Sequence, residues 1–219
     1  MLSRLWLTQY TKDTAYGFLT RGCPRNCPFC IVSEKEGKQS IKVADLSEFW
    51  RGQKTIKLLD PNLLVCKEHK GLLQQLVDSK AYVDFTQGLD ARGINPENAA
   101  LLAKIKTKMI HFAFDDIQQE KSIVKSLKLY KEISNIPEYK TGVYILTNYN
   151  TTHQQDLYRV KKVVQGLGYR PYIMVYNKKS APKMTKELQR WANNRRIYYS
   201  TDGVFTLYKK GKREQHVLL

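Results

Sequence analysis

The chain has 219 residues, of which 42% are hydrophobic and 26% charged, and its 37 lysines and arginines outnumber 20 acids to leave +17. That composition is globular rather than disordered, and the length suffices for one large α/β domain or two small ones. No run of about eighteen uncharged apolar residues occurs, and the opening MLSRLWLTQYTKD has neither the apolar core nor the cleavage site of a signal peptide. A cytoplasmic protein without a membrane span is therefore expected.

Apolar β-rich runs alternate with amphipathic stretches, without internal repeat or long linker, which is the pattern of βα units around a parallel sheet. Residues 14–19 read as the first strand, 43–50 as a helix with Asp45 or Ser47 near its start, and 55–59 as the second strand. Helical spacing of Leu72, Leu73, Leu76 and Val77 predicts a helix over 67–79, followed by a strand over 81–86. A helix begins at Pro96, with Asn95 as N-cap, and runs through Leu101, Leu102 and Ile105 to a strand at 109–114. Next come a helix over 117–134, a strand at 142–146, a helix over 154–167 and a sixth strand at 172–176. A helix over 183–194 and a hairpin pairing 196–200 with 204–208 through Thr201-Asp202-Gly203 close the chain. Six parallel strands fall short of the eight of a closed barrel, so the expected fold is α/β, an open partial (βα)6 TIM-like barrel over residues 1–177. Residues 178–219 then form a short basic C-terminal extension packed on it.

The first chemistry lies in Gly22-Cys23-Pro24-Arg25-Asn26-Cys27-Pro28-Phe29-Cys30, directly after the first strand. Three thiolates on one short loop can each bind one iron of a cubane, leaving the fourth iron open to another ligand. A structural zinc site would want a fourth Cys or His at paired spacing, and Cys66, His69 and His111 lie far off. Cys66 reads as a buried small apolar residue, and the four histidines form no pair that signals a second metal.

This C-x3-C-x2-C run, with Phe29 before its last cysteine, resembles the signature of the radical S-adenosylmethionine enzymes, and the six βα units resemble their partial barrel. The resemblance covers about residues 14–177 and implies a [4Fe-4S] cluster on Cys23, Cys27 and Cys30. It implies S-adenosylmethionine bound at the open iron, and reductive cleavage to a 5'-deoxyadenosyl radical. An electron donor of flavodoxin or ferredoxin type is implied too. Phe29 matches the aromatic slot beside adenine. The family's Gly-Gly-Glu-like segment after the second strand is replaced here by Leu58-Leu59-Asp60-Pro61-Asn62, where Asp60 and Asn62 are candidate acceptors for the methionine ammonium.

Polar residues at the C-terminal ends of barrel strands face an active site. They nominate Arg92 for the methionine carboxylate, Gln87 and Asp90 for ribose or substrate, Asp115 and Asp116 after the fourth strand, and Thr147, Asn148 and Asn150 after the fifth. Met174 and Tyr176 on the sixth strand match the family's adenine-bearing edge. Asp60 also reads as a plain turn former before proline.

From Arg159 to Leu219 fifteen basic residues face three acids, +12 of the total +17. Basic residues interleaved with Tyr198, Tyr199, Tyr208 and Trp191 suit a single-stranded nucleic-acid partner, with Lys178, Lys179, Arg195, Arg196, Lys209 and Lys210 as candidate phosphate contacts. The expected function is modification of a nucleic acid or nucleotide. A glycyl-radical activase, a peptide-modifying radical enzyme and a non-catalytic iron-sulfur protein that binds nucleic acid are the alternatives.

Overall fold

The structure, a computed structural model, describes residues 12–208. Six parallel strands form one sheet in the order β1 (Thr14–Gly17), β4 (Thr55–Leu58), β5 (Tyr82–Leu89), β6 (Thr107–Ala113), β7 (Thr141–Thr147) and β8 (Arg170–Val175). A separate two-stranded antiparallel ribbon pairs β2 (Thr20–Arg21) with β3 (Ile41–Lys42). Each sheet strand lies beside its predecessor, without the reversal that defines a doubly wound sheet. The helices bury their apolar residues in one cluster with the sheet. The fold is α/β, a six-stranded parallel sheet flanked by helices, compatible with a partial barrel.

Burial follows the two-residue period of the strands. One face carries Ala15, Ile56, Leu58, Val83, Phe85, Ile110, Phe112, Val143, Ile145 and Ile173, all at most 2% exposed. Against it pack α2 (His69–Ser79) through Leu72, Leu73 and Leu76, and α3 (Pro96–Lys104) through Ala99 and Leu102. The same core takes Ile123, Leu127 and Tyr130 from α4 (Glu120–Ser134) and Val160 from α5 (His153–Lys161). The opposite face is only partly covered and holds Tyr16, Lys57, Asp84, Met109, His111, Tyr144, Tyr172 and Met174.

Local chemistry explains several boundaries. Asn95 and Asn98 exchange side-chain to backbone bonds at 3.0 and 2.9 Å, a reciprocal cap that starts α3 at Pro96. The strand expected at 81–86 continues to Leu89 because Gly88 takes φ +87, a conformation that costs a side chain dearly, at a register shift between Phe85 and Leu89. The helix expected over 43–50 is a single 3-10 turn, Leu46–Glu48. Gln75 bonds both the Leu46 N–H, at 2.8 Å, and the Asp45 carboxylate, at 2.6 Å, tying that turn to α2.

The expected hairpin is also corrected. After α6 (Lys183–Asn193), residues Arg195–Ser200 form a helix, α7, and Phe205–Leu207 a 3-10 turn. The Asn194 side chain caps α7 by accepting from the Arg196 and Ile197 N–H groups. Asp202 N–H to Tyr199 C=O, at 3.2 Å, and Gly203 N–H to Tyr198 C=O, at 3.0 Å, close a Schellman motif. The Asp-Gly pair, left-handed at φ 47 and 70, thus ends a helix rather than joining strands. Tyr198 is held against Trp191 at 5.3 Å, and Trp191 donates to Thr201 Oγ1 at 2.8 Å. Leu188, Trp191, Ala192 and Tyr198 join the same buried cluster as the sheet. No helix among the described residues is long and apolar enough to cross a membrane.

Candidate cofactor site

The cysteine loop is an excursion between β2 and β3, pinned at its neck. Arg21 pairs with Glu36 at 2.9 Å, the Gly22 N–H donates to Glu36 at 3.2 Å, and the Cys23 N–H donates to the Gly37 carbonyl at 3.1 Å. Gly22 sits at φ +83, and a Cβ there would lie 2.1 Å from the Gln39 carbonyl oxygen, so no other residue fits the neck. Beyond it Asn26 adopts φ 48 with its side chain accepting from Ser33 Oγ at 3.0 Å, and the Cys30 N–H closes a turn on the Cys27 carbonyl at 2.9 Å. The helix that follows, α1 (Val32–Lys35), is one turn long.

The loop lies over the C-terminal ends of the parallel strands. Asn62, after β4, donates to Cys23 Sγ at 3.3 Å and to Asp90 at 3.4 Å. Asp90, after β5, binds Arg25 of the loop at 2.5 Å and takes two bonds from Arg92, at 2.7 and 3.1 Å. These guanidinium bonds hold the Asp90 carboxyl below the usual range despite its burial. Burial pushes the Cys27 thiol up; Arg92 opposes this, while Cys23, Cys30 and Asp115 raise it further. Across the sheet Phe29 meets Tyr149 edge-on at 5.4 Å, and Tyr149 meets Tyr176 at 4.7 Å, linking the cysteine loop to the ends of β7 and β8.

Cys23 and Cys27 are half-buried, Cys30 is exposed, and none of the three is in a disulfide. Cys66 is buried, with its thiol turned to Glu68 at 3.1 Å. Among the described residues no three Cys, His, Asp or Glu side chains converge on the position of one metal ion. A cubane asks for less, because each thiolate meets its own iron. Three free thiols on one pinned loop, with the Asn62 amide on Cys23 and the Arg92 guanidinium near Cys27 and Cys23, are a donor set that such a group could use.

The remaining candidates separate by placement. Asp60 is buried and turned into the fold: its Oδ1 accepts from Leu19 N–H at 3.0 Å, Thr20 N–H at 2.5 Å and Thr20 Oγ1 at 2.7 Å, while Oδ2 has no partner. Burial pushes its carboxyl up to about 6. Asn62 keeps a buried Oδ1 without a partner, while its amide donates to Cys23 of the loop. Asp115 is pushed by burial up to about 6 while accepting from Leu146 N–H at 2.9 Å. Asp116 is exposed and caps its own turn at Gln118, at 2.9 Å.

Gln87 is exposed, as are Met174 and Tyr176, and Asn150 is exposed at φ 48. Thr147 is buried and bonded to the Met174 carbonyl at 3.3 Å, and Asn148 donates to the Asn177 carbonyl at 3.3 Å. Lys178, Lys179, Arg195 and Arg196 are exposed, whereas Lys209 and Lys210 lie outside the described residues. Sequence reasoning missed Arg25 and Tyr149. Arg25 sat between two candidate ligand cysteines and was a findable signal, but Tyr149 lies more than a hundred positions from Phe29, and nothing in the sequence links the two.

Comparison with protein-family models gave no match, and comparison with curated proteins gave none either.

Proposed function

We propose that the chain is a radical S-adenosylmethionine enzyme acting on a nucleic acid or nucleotide. The observation that carries the reading is the C-x3-C-x2-C loop seated over the C-terminal strand ends, beside Asn62, Asp90 and Arg92. Cys23, Cys27 and Cys30 would hold the [4Fe-4S] cluster. When bound and reduced, such a cluster would supply the one electron that splits the sulfonium of S-adenosylmethionine into methionine and a 5'-deoxyadenosyl radical.

The chain's own residues would bind and orient. Asp90 anchors Arg25, and so the loop, to the end of β5 while occupying only one side of the Arg92 guanidinium, whose remaining nitrogen, unbonded among the described residues, would take a carboxylate. The lone acceptor of Asn62 suits an ammonium. Phe29, Tyr149 and Tyr176 offer aromatic surface to a flat base. The partial barrel draws support from the same rings. β1 and β7 are four strand spacings apart, about 19 Å if the sheet were flat at about 4.8 Å per strand, yet Phe29, on the loop between β2 and β3, touches Tyr149 after β7.

The test is anaerobic reconstitution followed by reduction with S-adenosylmethionine present. About four irons per chain and release of 5'-deoxyadenosine are expected. Both should be lost in Cys23→Ala, Cys27→Ala or Cys30→Ala and kept in Cys66→Ala. Intact cofactor under strong reductant, or loss of the cluster in Cys66→Ala, would overturn the assignment.

A further inference from the structure

Along the β8 edge of the sheet runs a groove of about 870 Å³, between the partly covered face of the strand and α6, with Tyr172, Lys178, Lys183, Lys186, Arg190 and Asn194 on its walls. Its floor is fixed. Asn193 accepts from the Ile173 N–H at 2.8 Å, and Asn193 and Gln189 donate to the Ile173 carbonyl at 3.0 and 3.2 Å. These amides satisfy the outer edge of β8 at Ile173, so the groove does not present a free strand edge there.

The cations follow from the helix. Thr185, Leu188, Trp191 and Ala192 are the buried stripe of α6, which turns Lys183, Lys186 and Arg190, spaced i, i+3 and i+7, outward along one line. Among the described residues none of Lys178, Lys183, Lys186 and Arg190 belongs to an ion pair. Lys186 reaches only the Lys179 carbonyl, at 3.4 Å, and Glu187 is the sole acid on the walls. Beside this row Tyr172 is 41% exposed. Its ring is backed edge-on by Tyr144 at 5.3 Å, and Tyr144 stacks on His111 at 4.4 Å with 7° between planes.

We infer that this groove binds single-stranded nucleic acid, with phosphates along Lys178, Lys183, Lys186 and Arg190 and a base stacked on Tyr172. The inference rests on the substrate half of the reading above and gives that substrate a path, because Tyr172 belongs both to the groove and to the aromatic ladder on the partly covered sheet face. A row of uncompensated cations beside a supported aromatic ring is the arrangement that holds unpaired strands: charge follows the backbone and the ring takes any base. A second basic hollow, lined by Lys121, Lys125, Lys128 and Lys162, has no aromatic residue on its walls, and Lys162 there is paired with Glu120. It supplies the control.

The experiment titrates the full chain with short labelled RNA and DNA single strands at several salt concentrations, with folding checked by thermal melting. Wild-type affinity should fall by roughly 0.7 log unit per log salt for each phosphate engaged. Lys186→Glu with Arg190→Glu should weaken binding about tenfold or more at low salt and flatten the slope by about 1.4, the loss of two phosphate contacts. Tyr172→Ala should weaken binding about fivefold or more at every salt without changing the slope. Lys125→Glu with Lys128→Glu, the same change in net charge, should leave binding close to wild type. Equal weakening by that control, no effect of Tyr172→Ala, or binding of vesicles rich in anionic lipid in place of oligonucleotides would each overturn the groove. Slow cleavage of S-adenosylmethionine without substrate is read on the same preparations. Cleavage without oligonucleotide binding counts against the groove alone, and binding without cleavage counts against the enzyme reading alone.

Discussion

Asp60→Asn tests the assignment of a structural rather than a cofactor-facing role to Asp60. The carboxylate ties the end of β4 to Leu19 and Thr20 through three bonds on Oδ1 and leaves Oδ2 buried without a partner. Burial outweighs those bonds and lifts its pKa to about 6. In the unfolded chain the value is about 3.9. Because the folded state holds the proton more tightly, Asp60 contributes most to stability at low pH, and this contribution is lost as pH rises from about 4 through about 6. Between pH 4.5 and 7.5 the loss amounts to about 2 kcal/mol. Asparagine preserves the acceptor and cannot titrate. Urea unfolding of both proteins across this range should show the wild type losing about 2 kcal/mol relative to Asp60→Asn. Asp115, also raised to about 6, adds a slope of the same sign to both proteins and cancels in the difference. A difference that does not change with pH would refute the buried, mostly desolvated carboxyl.

Arg92→Ala should leave the iron content of the reconstituted protein unchanged and weaken S-adenosylmethionine binding about tenfold or more, since a charge-assisted bond contributes about 1.5–3 kcal/mol. Equilibrium dialysis measures this, and unchanged affinity would dismiss the carboxylate role. Gly88→Ala should cost about 1–3 kcal/mol, because φ is +87 and the new Cβ would lie 3.1 Å from the Tyr144 ring. Gly52→Ala shares a positive φ, +91, but meets nothing within 4 Å, so its melting temperature should fall less. Equal falls would mean that Tyr144 does not press on the bulge.

Strands and long helices were legible because their periodicity is set by burial on one face, and burial repeats locally. What failed was decided by partners distant in sequence. Residues 43–50 have helical content, but Gln75 accepts from the Leu46 N–H and donates to Asp45, so a distant side chain fixes where the turn begins, and it runs only over Leu46–Glu48. Residues 196–200 have the aromatic and β-branched look of a strand, but Tyr198 finds Trp191 one helix earlier, and Asn194 and the Asp-Gly pair cap the intervening turn at both ends. The cysteine loop was legible because its candidate ligands are contiguous. The aromatic bridge through Tyr149 was not, since it depends on how the strand ends are gathered in space.

Charge divides the molecule in a way that bears on how the two proposed sites cooperate. At the cysteine loop Arg25 and Arg92 both bind Asp90, and Asp115 also acts on Cys27, so ionising Cys23, Cys27 and Cys30 together would add three negative charges where the guanidiniums are already balanced. That imbalance matches the raised Cys27 thiol, for which burial and the two neighbouring cysteines outweigh Arg92. Thiolate there needs positive charge from outside the chain, which the proposed iron would supply, so cluster binding at the loop would be coupled to proton release. On α6 the opposite holds: cations stand without carboxylates and attract anions at a distance. The proposed polyanion substrate would therefore be drawn first to the β8 flank rather than to the cysteine loop. From there Tyr172 and the ladder behind it lie on the sheet face whose strands end at the loop, so in the proposed reading the flank would be an approach to the site and not a competitor for it.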